Sequence, residues 1–546
     1  MRLTLRGPHP VLRRRAALLG RWLAVVVACY LGGVAATNLA PTVTETSHYQ
    51  AVLRLDPLPR HTPVLHAPTI MGDVDLSFTS PVVAPGLDVA VSVREEITSL
   101  FTGPNVSVRA LQPSDAELSD AIRSAAIGVG WRFALGALVV AAGLSLAVHY
   151  ARRRRPELPH LVLVASALVV TCIGTGVSTA LTYQPSRFAS YSTTGVLGTV
   201  QRNAGLLSGV EARATEATPY LRNLLAVSQA LQEKFVPAEL NQPVAARFLL
   251  VSDIHGANSY ALMRTIIAQE QVDAVIDAGD LVNFGRVQEA EAAGMLRGIA
   301  SLGVPYIFVS GNHDRSSPTD QSLIARLARI PNVVLLQQPD GALRELSFHG
   351  LRLTGFNDPR YFGDDNTDPT AKEAPAVDAY NTAMADQPES DLVVTHEPYA
   401  AKAVDRGRIL VNGHIHTALL DGHRIQVGTF TGGGVVAHYA EGPDAELTGQ
   451  PYAFDVVTFG SACTLTQLTR YSYRNLLEGR PAYDSVQVIN GTTIDPEAAT
   501  TPPAAQQPGA QQGAKDKRTC SRLEDTSIRT IPNPAAATPT TGSTTP

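Results

Sequence analysis

The chain has 546 residues, a hydrophobic share of 45% and a formal net charge of -5. That length exceeds one ordinary core, so two or more folded regions are expected. The mild acidity excludes a protein whose main business is holding a polyanion, nucleic acid included.

In chain order, residues 1–21 hold Arg2, Arg6, Arg13, Arg14, Arg15 and Arg21 and no acid. Residues 22–40 carry no charge and are long enough to cross a bilayer. Their small residues at the end also allow a cleaved signal peptide. A retained anchor is favoured, because two more apolar segments follow. Residues 41–124 are polar with short alternating runs at 74–78 and 89–93, which predict a small β-rich domain. Apolar segments at 131–150 and 160–182 flank a basic loop, 151–158, holding Arg152, Arg153, Arg154 and Arg155. The positive-inside rule puts 1–21 and 151–158 in the cytoplasm. It puts 41–124, and everything beyond about residue 182, outside. A multi-pass protein of the cell membrane with an extracytoplasmic C-terminal portion is expected. Residues 185–245 read as a connector with helical character over 211–234, and 246–475 as a compact domain. Residues 476–497 read as a C-terminal extension. Residues 498–546, rich in Ala, Pro, Thr, Gln and Gly, read as a disordered low-complexity tail. Cys29 and Cys172 lie in apolar stretches, whereas Cys463 and Cys520 are able to pair if exported.

The chemistry-bearing residues begin at 246. Residues 246–252 predict a strand that runs into Asp253-Ile254-His255-Gly256. Residues two apart on a strand share a face. Asp253 and His255 are therefore expected to address one metal ion while Ile254 turns into the core. A carboxylate with an imidazole suits Mn, Fe, Zn or Co over an oxygen-only calcium site. Four more apolar runs follow. Residues 272–278 end in Gly279-Asp280, 306–310 in Gly311-Asn312-His313-Asp314, 392–395 in His396, and 409–412 in Gly413-His414-Ile415-His416. Helical stretches at 259–269 and 288–301 lie between. Polar residues at the C-terminal ends of strands are where α/β folds place their sites. His396 alone reads as core, and Asp280 alone as a helix cap; the ordered set favours ligands. Gly432-Gly433-Gly434 reads as a tight turn, since no Lys-Ser/Thr follows. Residues 355–360 are either an Asx-type turn or a place where Arg360 meets a phosphate.

The ordered blocks D-x-H, G-D, G-N-H-D, a lone H and G-H-x-H resemble the calcineurin-like metallophosphoesterase superfamily over about 246–435. The resemblance implies an α/β sandwich of two mixed sheets flanked by helices. Here it is preceded by three transmembrane helices and the small β-rich extracytoplasmic domain. It implies two divalent ions, Mn, Fe or Zn. Asp253, His255, Asp280 and His416 would hold one; Asp280 would bridge to the other, completed by Asn312, His396 and His414. It also implies that His313 faces the substrate, its imidazole held by Asp314. The implied activity is hydrolysis of a phosphomonoester or phosphodiester by a bridging hydroxide, with His313 serving the leaving oxygen. Lipid, nucleotide and cell-envelope phosphates are all open as substrates, with membrane lipid as a neighbour. The alternative is a catalytically inert membrane scaffold or receptor on the same fold. The intact ligand set weighs against it.

Overall fold

The apolar stretches form helices in the computed structural model, which describes residues 10–46, 49–57, 63–68, 73–81, 83–93, 114–152, 157–194, 243–364, 369–433, 451–477, 480–495 and 518–531. The chain divides into two units, Met1–Pro237 and Ala238–Pro546.

In the first unit α1 is Pro10–Leu39, α2 is Asp115–Arg152 and α3 is Leu158–Thr182. Each contains a stretch long and apolar enough to cross a membrane. Glycines let α1 and α2 meet closely. A Cβ on Gly136 would lie 2.3 Å from the Gly32 carbonyl oxygen, the small-residue contact by which membrane helices pack. At one end of the bundle six strands form a sheet: β1 (Thr42–Glu45), β2 (Tyr49–Asp56), β3 (Val64–Ala67), β4 (Val74–Phe78), β5 (Gly86–Val93) and β6 (Phe188–Thr194). Their order is β1-β2-β5-β3-β4-β6. Helix ends tie to it: Asn38 donates to the Leu55 carbonyl at 2.9 Å, and the Tyr183 hydroxyl to that of Pro85 at 2.7 Å.

Two expectations change here. The β-rich segment does not run to 124, because α2 starts at Asp115. Ser114 and Glu117 form a reciprocal cap, Ser114 N to Glu117 Oε2 at 3.0 Å and Glu117 N to Ser114 Oγ at 3.3 Å, which satisfies the first-turn donors. The stretch after α3 is not all connector, since β6 pairs antiparallel with β4. The helical expectation for 211–234, and Arg153 to Arg155, lie outside the described residues.

The second unit is a mixed α/β sandwich. One sheet contains β7 (Val244–Val251), β8 (Ala274–Asp277), β9 (Tyr306–Phe308), β10 (Val333–Leu335), β17 (Tyr452–Gly460), β18 (Leu465–Leu477) and β19 (Arg480–Asn490), in the order β19-β18-β17-β7-β8-β9-β10. The other contains β11 (Leu343–Phe348), β12 (Leu351–Gly355), β13 (Leu392–Val394), β14 (Ile409–Asn412), β15 (Leu419–Asp421), β16 (Arg424–Gln426) and β20 (Ser527–Ile531), in the order β15-β16-β14-β13-β12-β11-β20. Strands β7 to β10 are mutually parallel, as are β12, β13, β14 and β16. The run Phe248-Leu249-Leu250-Val251 is apolar throughout because both faces of β7 are covered. Phe248 and Leu250 join the core between the sheets with Leu353, Leu392 and Val411. Leu249 and Val251 pack with Tyr260, Met263 and Ile266 of α4 (Tyr260–Glu270). The helix expected over 288–301 is two, α5 (Val287–Ala292) and α6 (Met295–Ala300), broken where Gly294 takes φ +71°. Among the described residues the remaining α-helices are α7 (Ser322–Leu327), α8 (Pro369–Met384) and α9 (Pro398–Lys402).

The C-terminal boundaries are corrected. Residues 476–477 and 480–490 belong to the first sheet, because β18 and β19 pair antiparallel. The stretch 498–546 is not disordered throughout. Cys520 is bonded to Cys463, and β20 pairs antiparallel with β11. Ile531 is buried beside Leu343 and Val393, and Arg529 meets Glu345 at 3.1 Å. A crosslink, a strand pairing, ion pairs and the buried Ile531 hold a segment whose flanking composition predicts no order.

Candidate metal centre

The candidate residues follow β7, β8, β9, β13 and β14 at their C-terminal ends, where the main chain turns sharply. Asp253 and His255 do not lie on the strand. It ends at Val251, and the two residues have φ +54° and +48°. They converge through a left-handed turn and not through strand alternation. Asp280, His414 and His416 also take positive φ, at 60°, 73° and 62°. L-residues rarely adopt this region, and such outliers concentrate at functional sites. Two glycines permit the close approach of the loops. A Cβ on Gly279 would stand 2.5 Å from Gly311 N, and one on Gly413 1.8 Å from Ser252 Oγ.

Hydrogen bonds hold the strained segments. Asp253 N donates to the Gly279 carbonyl at 2.9 Å, and His255 N to that of Asp280 at 3.0 Å. Thr429 Oγ1 donates to the Asp253 carbonyl at 2.8 Å, and Thr431 Oγ1 to that of Ile254 at 2.6 Å. Neither threonine was singled out from the sequence.

Two groups of ligand-type atoms result, Asp253 with His255 and His416, and Asp280 with His396 and His414, each group's atoms lying within 4.8 Å of one another. Asp280 faces both. Its Oδ2 is 3.2 Å from His396 Nε2 and 3.8 Å from His255 Nε2, while its Oδ1 accepts from His313 N at 2.8 Å. His416 Nε2 is 3.3 Å from Asp253 Oδ1 and 3.1 Å from His255 Nε2. The rings are held from behind. His396 Nδ1 donates to the Ala278 carbonyl at 2.8 Å, which leaves Nε2 facing Asp280. His414 directs Nε2 to Glu397 Oε2 at 3.1 Å and Nδ1 inward, 3.3 Å from His396 Nε2.

These side chains fit metal ions. Asn312 Oδ1 and Asp253 Oδ1 are buried and accept no hydrogen bond, an arrangement that is costly unless another partner takes the lone pairs. Burial opposes ionisation of Asp280, but the charges of His396, His313 and His255 outweigh it and hold its carboxyl well below the usual range. Burial likewise opposes ionisation of Asp253, and His416 and His396 pull it down. Burial holds His255 below its ordinary value against the pull of Asp280 and Asp253. Carboxylates stay charged and an imidazole stays neutral, the forms in which both ligate.

Asp314 is corrected. It does not hold the His313 ring. His313 Nδ1 donates to the Asn283 carbonyl at 2.6 Å. The Asp314 carboxylate is fully engaged by main-chain N–H groups, those of Asp280 at 2.9 Å, Leu281 at 2.8 Å, Val282 at 3.2 Å and Gly311 at 2.8 Å. It ties the loop after β8 to the loop after β9. Burial and the Asp280 charge push its carboxyl up to about 7, against those donors. Arg360 is also corrected, since it does not meet solvent. It is buried among Asp358 at 2.5 Å, Glu373 at 3.1 Å and Glu397 at 2.8 Å, and so supports the carboxylate behind His414. Burial and the Asp358 charge push Glu373 up to about 10.

Beside His313 stand two exposed aromatics that the sequence did not flag. The Phe362 ring lies 5.5 Å from His313 and 5.3 Å from Phe284. Asp253, His255, Asp280, Asn312, His313, His396, His414 and His416 are thus brought to one place by five loops, and His423 stays at the surface.

Residues 246–418 match the family model described as calcineurin-like phosphoesterase. No curated protein matches the chain. Solved structures similar to it include a dimetal phosphatase from Danio rerio, at 12% identity and TM-score 0.29, covering 45% of this chain and 99% of that one. A purple acid phosphatase from yellow lupin is similar at 15% identity and TM-score 0.30, covering 50% and 58%. A 5'-nucleotidase precursor from Thermus thermophilus is similar at 13% identity and TM-score 0.24, covering 46% and 55%.

Proposed function

We propose that this chain, which carries a calcineurin-like phosphoesterase domain at residues 246–418, hydrolyses phosphate monoesters or diesters at a two-metal centre on the outer side of a membrane. The observation that carries the reading is the shared carboxylate. Asp280 Oδ2 stands between the two groups while its Oδ1 is fixed by the main chain. In this reading Asp253, His255, Asp280 and His416 hold one ion, and Asp280, Asn312, His396 and His414 the other. Two divalent ions of the Mn, Fe or Zn type, when bound, supply Lewis-acid binding of phosphate oxygens and acidify water.

The chain's own residues do the rest. Asn312 adds a neutral ligand, so the centre keeps enough positive charge to accept a dianion. His313 keeps Nδ1–H on the Asn283 carbonyl, so its proton exchange takes place at Nε2. That atom donates to the leaving oxygen. Asp314 acts as a positioning residue through the main chain of Asp280. The outer location is supported by the basic N-terminal segment and by the Cys463–Cys520 bond, which suits an oxidising compartment.

The test uses the full chain in mild detergent, loaded with Mn, and a chromogenic phosphodiester and phosphomonoester. Turnover by the wild type and its loss in Asn312→Ala and His313→Ala are expected, with His313→Ala retaining metal. A fully metallated wild type that turns over neither compound, nor a panel of lipid and nucleotide phosphates, sinks the enzymatic reading and leaves the inert one. Protease shaving of intact cells tests the side: survival of the C-terminal unit while a known exported domain is cut reverses the topology.

A further inference from the structure

The first unit holds a cavity that plays no part in the phosphoesterase site. It has a volume of about 580 Å³ and lies between the sheet and the helices. Leu53, Leu65 and Val89 line it from the strands, and Ala121, Ala125 and Val129 from α2. Among the described residues no charged side chain lines it, and its polar groups are a few hydroxyls such as those of Thr44, Thr179 and Tyr183. The Tyr183 hydroxyl is engaged by the Pro85 carbonyl, and that of Thr44 by the Ala121 carbonyl. A water cluster needs several polar partners per molecule, and a charged ligand would lose its hydration without compensation. The volume falls among small-molecule sites, which run from roughly 300 to 1,000 Å³. The lining asks for hydrocarbon.

Position identifies the source. Helix α2 has 38 residues, about 57 Å at 1.5 Å per residue, nearly twice the roughly 30 Å of a bilayer's hydrocarbon core. Its first half therefore projects beyond the lipid tails. That half lines the cavity, together with the C-terminal part of α3 from Cys172 to Thr179. At the junction stand Trp131, 53% exposed, and Arg132, whose guanidinium lies 4.5 Å from the indole centroid, a pairing suited to the headgroup layer. Ile122, which lines the cavity, is 39% exposed. Arg132 Nη1 reaches Thr42 Oγ1 at 3.3 Å, two residues along β1 from the cavity-lining Thr44, and Arg132 Nε is buried with no hydrogen-bond partner. A cation thus stands beside an apolar chamber at headgroup level.

We propose that this cavity binds one hydrocarbon chain of an anionic membrane phospholipid, with the headgroup phosphate against Arg132. The chain enters beside Gly130 and Phe133, which line the cavity next to Arg132, and lies under the sheet.

The test places the full-length protein in vesicles of phosphatidylcholine and phosphatidylglycerol. A trace of either lipid carries a diazirine at the end of one acyl chain. After photolysis, adducts are mapped by peptide mass spectrometry. Adducts on β2, β3 and β5 are expected, alongside control adducts on Val162 and Val169, which are exposed on α3 on the bilayer side of the cavity-lining Cys172. Ala125→Trp fills the chamber and should abolish the strand adducts while the α3 adducts stay. Arg132→Gln should reduce strand adducts from the phosphatidylglycerol probe to the level given by phosphatidylcholine. Wild-type protein that gives α3 adducts and no strand adducts overturns the proposal, whatever the variants do. Absence of both sets overturns it together with the membrane reading. Equal strand yields from the two lipids in the wild type overturn the role given to Arg132.

Discussion

The two ligand groups are built differently. Positive φ occurs in both groups, at Asp253, His255 and His416 of the first and at Asp280 and His414 of the second, but in the first His255 Nδ1 is buried with no hydrogen-bond partner. That group is aimed chiefly by its main chain. In the other, His396 and His414 each give their rear nitrogen to an oxygen, of Ala278 and of Glu397. It is aimed by side chains that are themselves held. A ring fixed from behind resists rotation and is a better donor. The first ion should therefore depend on loop geometry, and the second on the buried Glu397–Arg360 network.

Four measurements break or sharpen this contrast. Asp280→Asn should have the largest effect, because both groups share that carboxylate. Metal content, read by mass spectrometry of the purified protein, should fall for both ions and turnover should drop below detection; retention of one full equivalent would show that the groups are independent. Next, Cys520→Ser releases the segment that closes the second sheet, the one that delivers His396 and His414. It should cost about 2–4 kcal/mol, seen as a lower unfolding midpoint, with affinity for metal in the folded protein unchanged. Glu397→Gln should weaken the second ion by roughly 10–100-fold and spare the first, as followed by metal titration. Equal weakening of both would dissolve the distinction.

The smallest effect concerns the loop beyond His313. Burial opposes ionisation of Asp320, but Ser316 and Ser322 donate hydrogen bonds that pull its carboxyl down to about 2. A depressed folded value means that stability is present above the unfolded value of 3.8 and is lost as pH falls from there to about 2. Asp320→Ala should lower the midpoint slightly at pH 7, and the difference from wild type should vanish at the acid end of that window. A difference that persists at pH 2 would assign the effect to packing.

Much of the site was legible because each candidate follows an apolar strand and sits beside a glycine or another polar residue. That pattern is local. What was missed is non-local or looks ordinary. Glu397 precedes a proline and reads as a surface acid; only the fold brings Arg360 to it. Asp314 was given to its sequence neighbour His313, but its carboxylate serves amides more than thirty residues earlier in the chain. Phe284 and Phe362 lie in separate loops with no periodicity to announce them. Strand β20 pairs with a partner far back in the sequence, and a composition window cannot register a pairing of that range. The turns at Asp253 and His255 read as strand because a continuous apolar run gives no sign of where φ changes hand. Ser114 and Glu117 did offer a readable cap signal for the start of α2.

The bond between Cys463 and Cys520 also makes the stretch from 464 to 519 part of a covalent ring. A protease that cuts there once opens the ring but frees nothing, and the chain should keep its full length on a gel run without reductant. Release takes both events, the cut and the reduction. The fragment lost would then carry β20 and bare the edge of β11, so the C-terminal strand has a retention mechanism that lasts as long as its surroundings stay oxidising.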